Sequence, residues 1–151
     1  MCFYYRLLTV IFLVFSSVGS VFSVENNRTD SLFNTKSEPT GKIIAFYTGV
    51  TTSNSITLYW VEEEGKVLAD GYLVKGSEEG FDFIPIPIDG IPESDGPLIK
   101  NISYGENECT FTNLTPRTVY YFKIFPYTND DADINYKIQG KRHTYVNRST
   151  E

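Results

Sequence analysis

The sequence predicts an all-β fold of two stacked antiparallel sheets, on three observations. Leu114, Pro116, Thr118, Tyr120, Phe122, Ile124 and Pro126 fall on every second position, the period of a strand. Ile56, Leu58 and Trp60 repeat that alternation around the single Trp of the chain. Aromatic residues make up 15% of the composition, with 11 Tyr and 11 Phe, and the runs that carry them are short and bounded by Asn-, Gly- and Pro-rich turn signals.

Taken in order, the first segment reads as an export signal. Arg6 is the only charge before Glu25, Leu7 to Phe15 is apolar apart from Thr9, and Ser16, Ser17, Gly19, Ser20 and Ser23 supply small residues for cleavage after Ser23 or Ser20. The alternative is a membrane anchor, but the run is short of the ~20 residues a spanning helix needs. Residues 1–23 are therefore assigned as signal peptide and the polar stretch 24–39 as a flexible linker. Strands are expected over 42–49, 55–61, 69–76, 98–104, 108–112, along the run ending at Tyr127, and over 134–140. Phe83 to Ile88 reads as a further, Pro-rich strand confined to an edge, because Pro85 and Pro87 cannot donate to a ladder. Residues 141–151 read as a polar tail.

The phase of Leu114-x-Pro116-x-Thr118-x-Tyr120-x-Phe122-x-Ile124 resembles the corner and sixth strand of a fibronectin type III domain, and Ile56-x-Leu58-x-Trp60 resembles its second strand. Phe83-Ile-Pro-Ile-Pro-Ile-Asp-Gly and Asn135-Tyr-Lys resemble segments of bacterial secreted members. The resemblance spans residues 40–140. It implies an immunoglobulin-like β-sandwich of about seven antiparallel strands. It also implies that Tyr120 is the tyrosine corner, its hydroxyl bonded to backbone a few residues upstream, and that Trp60 is the large core residue. Trp60, Tyr72, Leu114, Tyr120 and Phe122 form the expected structural core.

Composition excludes several functions. With a formal net charge of −6 and no basic cluster, the chain lacks the Lys/Arg face that phosphate binding requires. It equally lacks a polybasic membrane patch. Removal of Cys2 with the signal leaves Cys109 alone, so no intrachain disulfide is expected, and Cys109 reads as a small buried hydrophobe. The single His, His143, lies in the tail and gives no base for a triad. Glu62-Glu63-Glu64 reads as a solvated loop. Asp130, Asp131 and Asp133 lack the Gly and Glu of a calcium loop. No catalytic residues, metal site or cofactor are expected.

On the outer face of the second sheet, Tyr121, Phe125 and Tyr127 form an aromatic row near Leu73. It is the candidate binding surface, weighed against plain cross-strand pairing. Sequons at Asn27, Asn101, Asn113 and Asn147 carry no meaning in a bacterial source. The expectation is a secreted or cell-surface, non-enzymatic module for protein interaction, adhesion or domain spacing, with an extracellular protein or polysaccharide as partner. The alternatives are a carbohydrate-binding accessory module of a secreted hydrolase, resting on the aromatic row, and a metal-assisted hydrolase resting on the three Asp residues.

Overall fold

Strands form where the alternation is strongest: β1 (Lys42–Thr51), β2 (Ile56–Glu63), β3 (Gly71–Ser77), β4 (Ile99–Ser103), β5 (Glu108–Phe111), β6 (Val119–Thr128), β7 (Asn135–Tyr136) and β8 (Val146–Ser149). The computed structural model describes residues 35–138 and the backbone of 146–149. The export segment, residues 24–34, Cys2, Asn27 and His143 lie outside the described residues.

One sheet has the order β1-β2-β5 and the other β4-β3-β6-β7, with β8 also on β6. All named pairings are antiparallel. β7 pairs Tyr127 and Thr128, and β8 pairs Val119 to Phe122, both away from the edge that β6 shares with β3. They therefore act as one interrupted edge strand, and the architecture is an immunoglobulin-like sandwich of about seven strands, as expected.

Inward-facing residues of the two sheets meet in one core. Phe46, Leu58, Trp60, Tyr72, Val74, Phe111, Leu114, Tyr120, Phe122 and Ile124 are all buried there. Trp60 packs edge-on against Phe46 and Tyr72, with ring centroids 6.5 and 5.2 Å away. Edge-on packing suits rings whose faces are negative and edges positive.

Five expectations are corrected. Phe83 to Ile88 is not a strand: a 3-10 turn at Phe81–Phe83 opens a strap, residues 81–97, with no ladder of its own. Ile84 and Pro87 are its buried positions, and the Gly90 amide bonds Ile134 O at 2.8 Å. That is a period of three, which suits a proline-stiffened extended chain rather than the period of two of a strand. Second, the outer face of the β3–β6 sheet is covered by this strap. Leu73, Ile84, Phe125, Ile134 and Tyr136 make a second buried cluster there. The face expected to be amphipathic is thus a second core, and β6 is buried on both sides.

Third, residues 35–39 do not behave as a linker. Asn129 bonds the Lys36 backbone through both ends of its amide at 2.8 and 2.7 Å, Thr128 Oγ1 donates to Ser37 O at 2.9 Å, and Lys137 Nζ donates to Pro39 O at 2.8 Å. Fourth, residues 146–149 of the expected polar tail pair with β6 as β8. Fifth, Glu62 and Glu63, read as loop, extend β2.

Candidate functional site

Five core residues were expected from sequence, and each is at most 6% exposed. The Tyr120 hydroxyl accepts the Thr115 amide at 2.9 Å and donates to Glu78 Oε1 at 2.8 Å. The first of these bonds ties the β5–β6 turn, where Asn113 and Arg117 take positive φ of 58° and 59°, to the strand that follows. Tyr72 donates its hydroxyl to Glu62 Oε2. Burial, then that carboxylate, pushes the Tyr72 phenol far above its ordinary range. The Trp60 Nε1–H has no partner of normal hydrogen-bond geometry and leans on the Tyr72 oxygen beside it. These residues hold the sandwich together.

The aromatic row does not form an open surface. Phe125 is 0% exposed, and Tyr121 and Tyr127 are half-buried. Phe81 meets the Tyr121 ring edge-on at 5.0 Å, and Tyr136 meets Tyr127 edge-on at 5.8 Å. Leu73 and Phe125 are direct cross-strand partners, as are Lys75 and Lys123. Both lysines are at most 9% exposed, yet their charges are met from the strap: Lys75 Nζ pairs with Glu93 at 2.7 Å and Lys123 Nζ donates to Ile84 O at 3.3 Å. An ammonium beneath a covering segment needs such partners, because burying it unpaired costs several kcal/mol.

The strap is pinned along its length. Asp89 accepts the Tyr136 amide at 2.7 Å, Tyr136 Oη donates to Ile91 O at 3.4 Å, and Asn101 Nδ2 donates to Glu93 O at 2.8 Å and Asp95 Oδ1 at 2.9 Å. Asp95 also accepts the Asn101 amide at 2.8 Å, and Gly96 pairs with Ile99, so the outer edge of β4 is capped by the strap. Gly90 takes φ +77°, and a side chain there would approach Ala132 O at 3.3 Å. These bonds hold the backbone at Ile84 and from Asp89 to Gly96, and the outward side chains include large apolar ones. Phe83, Ile86, Ile88 and Ile91 are 62%, 57%, 64% and 55% exposed. They are the functional candidates that sequence reading missed. The signal was present in Phe83-x-x-Ile86-x-Ile88-x-x-Ile91, four large residues among prolines that a strand could not have used.

The first sheet presents a smaller feature. Tyr47 and Tyr59 stack across β1 and β2 with centroids 5.9 Å apart and 26° between planes. The Tyr59 ring lies over Gly49, where a Cβ would sit 2.0 Å from it. Two open clefts flank the core. One of about 560 Å³ is lined by Glu78, Lys100, Thr112, Asn113 and Tyr120; the other, about 290 Å³, by Trp60, Glu62, Glu64, Tyr72 and Tyr104. Among the described residues no group of three or more His, Cys, Asp or Glu is placed to hold a metal. Asp131 to Asp133 form a 3-10 turn in the β6–β7 connection. Cys109 is buried, and burial pushes its thiol up to about 12, the opposite of an activated nucleophile.

Neither a family model nor a curated protein matches the chain. Solved structures similar to it include FN3tt, at 16% identity over 72% of this chain and 91% of that one with a TM-score of 0.46. A computer-based redesign of a β-sandwich protein is 14% identical over 72% of this chain and 92% of that one, with a TM-score of 0.46. The FN1-FN3 domains of chicken CNTN1 are 15% identical over 72% of this chain, with a TM-score of 0.49, and the match spans only 31% of that structure.

Proposed function

We propose that the chain is a non-catalytic fibronectin type III-like module of an exported protein, serving protein interaction. The observation that supports this reading is the set of exposed apolar side chains on a strap whose backbone is fixed by hydrogen bonds and an ion pair. Exposed apolar side chains gathered on one short segment mark a contact site more often than ones scattered singly. Rigidity matters because ordering a loop on binding costs affinity, and here the order precedes the partner.

Export rests on the Arg6 to Ser23 pattern. Its test is an alkaline phosphatase fusion to residues 1–40, which gains activity only when carried out of the cytoplasm. Absence of activity would remove the extracellular part of the reading. Interaction is tested by lysine-reactive cross-linking of the exported chain at the cell surface. Discrete adducts are expected, and only monomer after cross-linking would count against the reading.

A carbohydrate-binding role is the second reading, favoured by the stacked Tyr47–Tyr59 pair on an uncovered sheet face rather than by the covered row. Retardation in polysaccharide gels that is lost in Tyr47→Ala would support it; equal mobility with and without polysaccharide would discard it.

A further inference from the structure

We propose that the outward face of the strap, carrying Phe83, Ile86, Ile88 and Ile91, is the docking surface, and that its partner is a protein or peptide surface that is apolar at the centre and rimmed by Lys or Arg. This rests on the interaction reading above and names the site and the chemistry of the partner.

The apolar centre follows from exposure. The four side chains are all more than half exposed, within nine residues of one another. Pro85, Pro87 and Pro92 punctuate the segment and stiffen it. Ile84 and Pro87 face the sheet and anchor it from below. The prolines also remove amide donors, so a partner cannot simply add a strand here and must be recognised by side chains.

The basic rim follows from charge. Between Lys75 and Lys100 the chain has six carboxylates, Glu78, Glu79, Asp82, Asp89, Glu93 and Asp95, and no basic residue. Between Lys123 and Lys137 it has three more, Asp130, Asp131 and Asp133, again with no basic residue. The Gly90–Ile134 bond brings this second group beside the strap. Glu79, Asp82, Asp89, Asp131 and Asp133 are exposed around the apolar residues. Such a rim repels a second copy of the same face, an anionic bilayer and a nucleic acid, and it steers a cationic partner. Like-charge juxtaposition at an interface costs several kcal/mol, so the sign of the rim selects the class of partner.

The experiment uses the full mature chain and two fluorescein-labelled 14-residue amphipathic helical probes, one of Leu and Lys and the other of Leu and Glu. Anisotropy should show saturable binding of the Leu/Lys peptide alone, weakened by about ten-fold or more in Phe83→Ser/Ile86→Ser/Ile88→Ser. Raising salt from 50 to 500 mM should weaken it several-fold. The three positions are solvent-facing, so the variant's melting temperature should match the parent's, and this is measured alongside. Equal binding by parent and variant overturns the strap assignment. If binding is instead lost in Tyr47→Ala/Val61→Ser, on the other sheet, the interaction reading stands and the strap inference falls. Binding to phosphatidylcholine vesicles without peptide binding overturns it in favour of a lipid surface. No binding to either probe or vesicle overturns the inference, whereas failure of the interaction reading itself is read from the cross-linking experiment.

Discussion

At the scale of single residues, Trp60, Tyr120 and the Lys75–Glu93 pair set testable energies. Trp60 fills the centre of the core at 2% exposure, so Trp60→Ala should cost at least ~3 kcal/mol, read from urea denaturation midpoints. Tyr120→Phe keeps the ring but removes the acceptor for the Thr115 amide and the donor to Glu78, and should cost about 1–3 kcal/mol by the same measurement. The Lys75–Glu93 pair is asymmetric, with Lys75 5% and Glu93 24% exposed. Glu93→Ala should therefore destabilise by about 2–4 kcal/mol, while Lys75→Met/Glu93→Leu should recover most of that loss. A double variant no better than Glu93→Ala would show that the pair does more than neutralise a buried charge. Cys109, with its thiol raised to about 12 by burial, should react with Ellman's reagent at pH 8 only on unfolding, tested in a Cys2→Ser background. Trp60 and Tyr120 were legible as core residues from period and size together with the resemblance of their runs to fibronectin type III strands. That Lys75 and Lys123 are buried was not, because a charged residue on an expected solvent face gives no hint of what lies over it.

At the scale of elements, strands and turns were read nearly in place, while the strap and the ends were not. The apolar density of the strap resembles that of an edge strand. The prolines alone do not exclude an edge strand, whose paired side would use the amides of Ile84, Ile86 and Ile88; the correction comes from burial at Ile84 and Pro87, three residues apart, which packs the segment on the sheet face instead of at its edge. Asp89 caps the Tyr136 amide of β7, so Asp89→Ala should speed hydrogen exchange at Tyr136 and cost about 1–2 kcal/mol. The lead segment is the other missed element. Burial alone would raise the Asp70 carboxyl, but the Lys36 side chain and the Asn129 amide outweigh it and hold it below its ordinary value. A carboxyl depressed on folding stabilises above its unfolded value of about 4, and that contribution is lost as pH falls through the lower folded value. Limited proteolysis at pH 7 should accordingly find residues 35–39 protected in the parent and cut in Asp70→Asn, and the parent's protection should weaken as pH falls through the lowered Asp70 value. Equal cutting of parent and variant at pH 7 would show that the clamp does not order the lead.

At the scale of the whole molecule, β6 is buried on both faces because two different things cover it: the opposite sheet on one side and the strap on the other. Replacing residues 82–96 by a short Gly/Ser loop should leave the β1-β2-β5 packing in place but uncover Leu73, Phe125 and Tyr136. Such a chain should bind Nile red strongly and lose soluble yield. Low dye binding with full solubility would mean that the second cluster closes without the strap. The sequence by itself determined the class of fold, the alternation of its strands, the identity of the Trp60–Tyr120 core and the acidic balance. These follow from local period, side-chain volume and charge, which need no knowledge of what packs on what. Only the tertiary structure decided which sheet face is covered, which aromatic residues are out of reach, and which apolar ones stand in solvent. Those outcomes depend on where a segment with no period of its own comes to rest, and contacts between residues distant in sequence set that position.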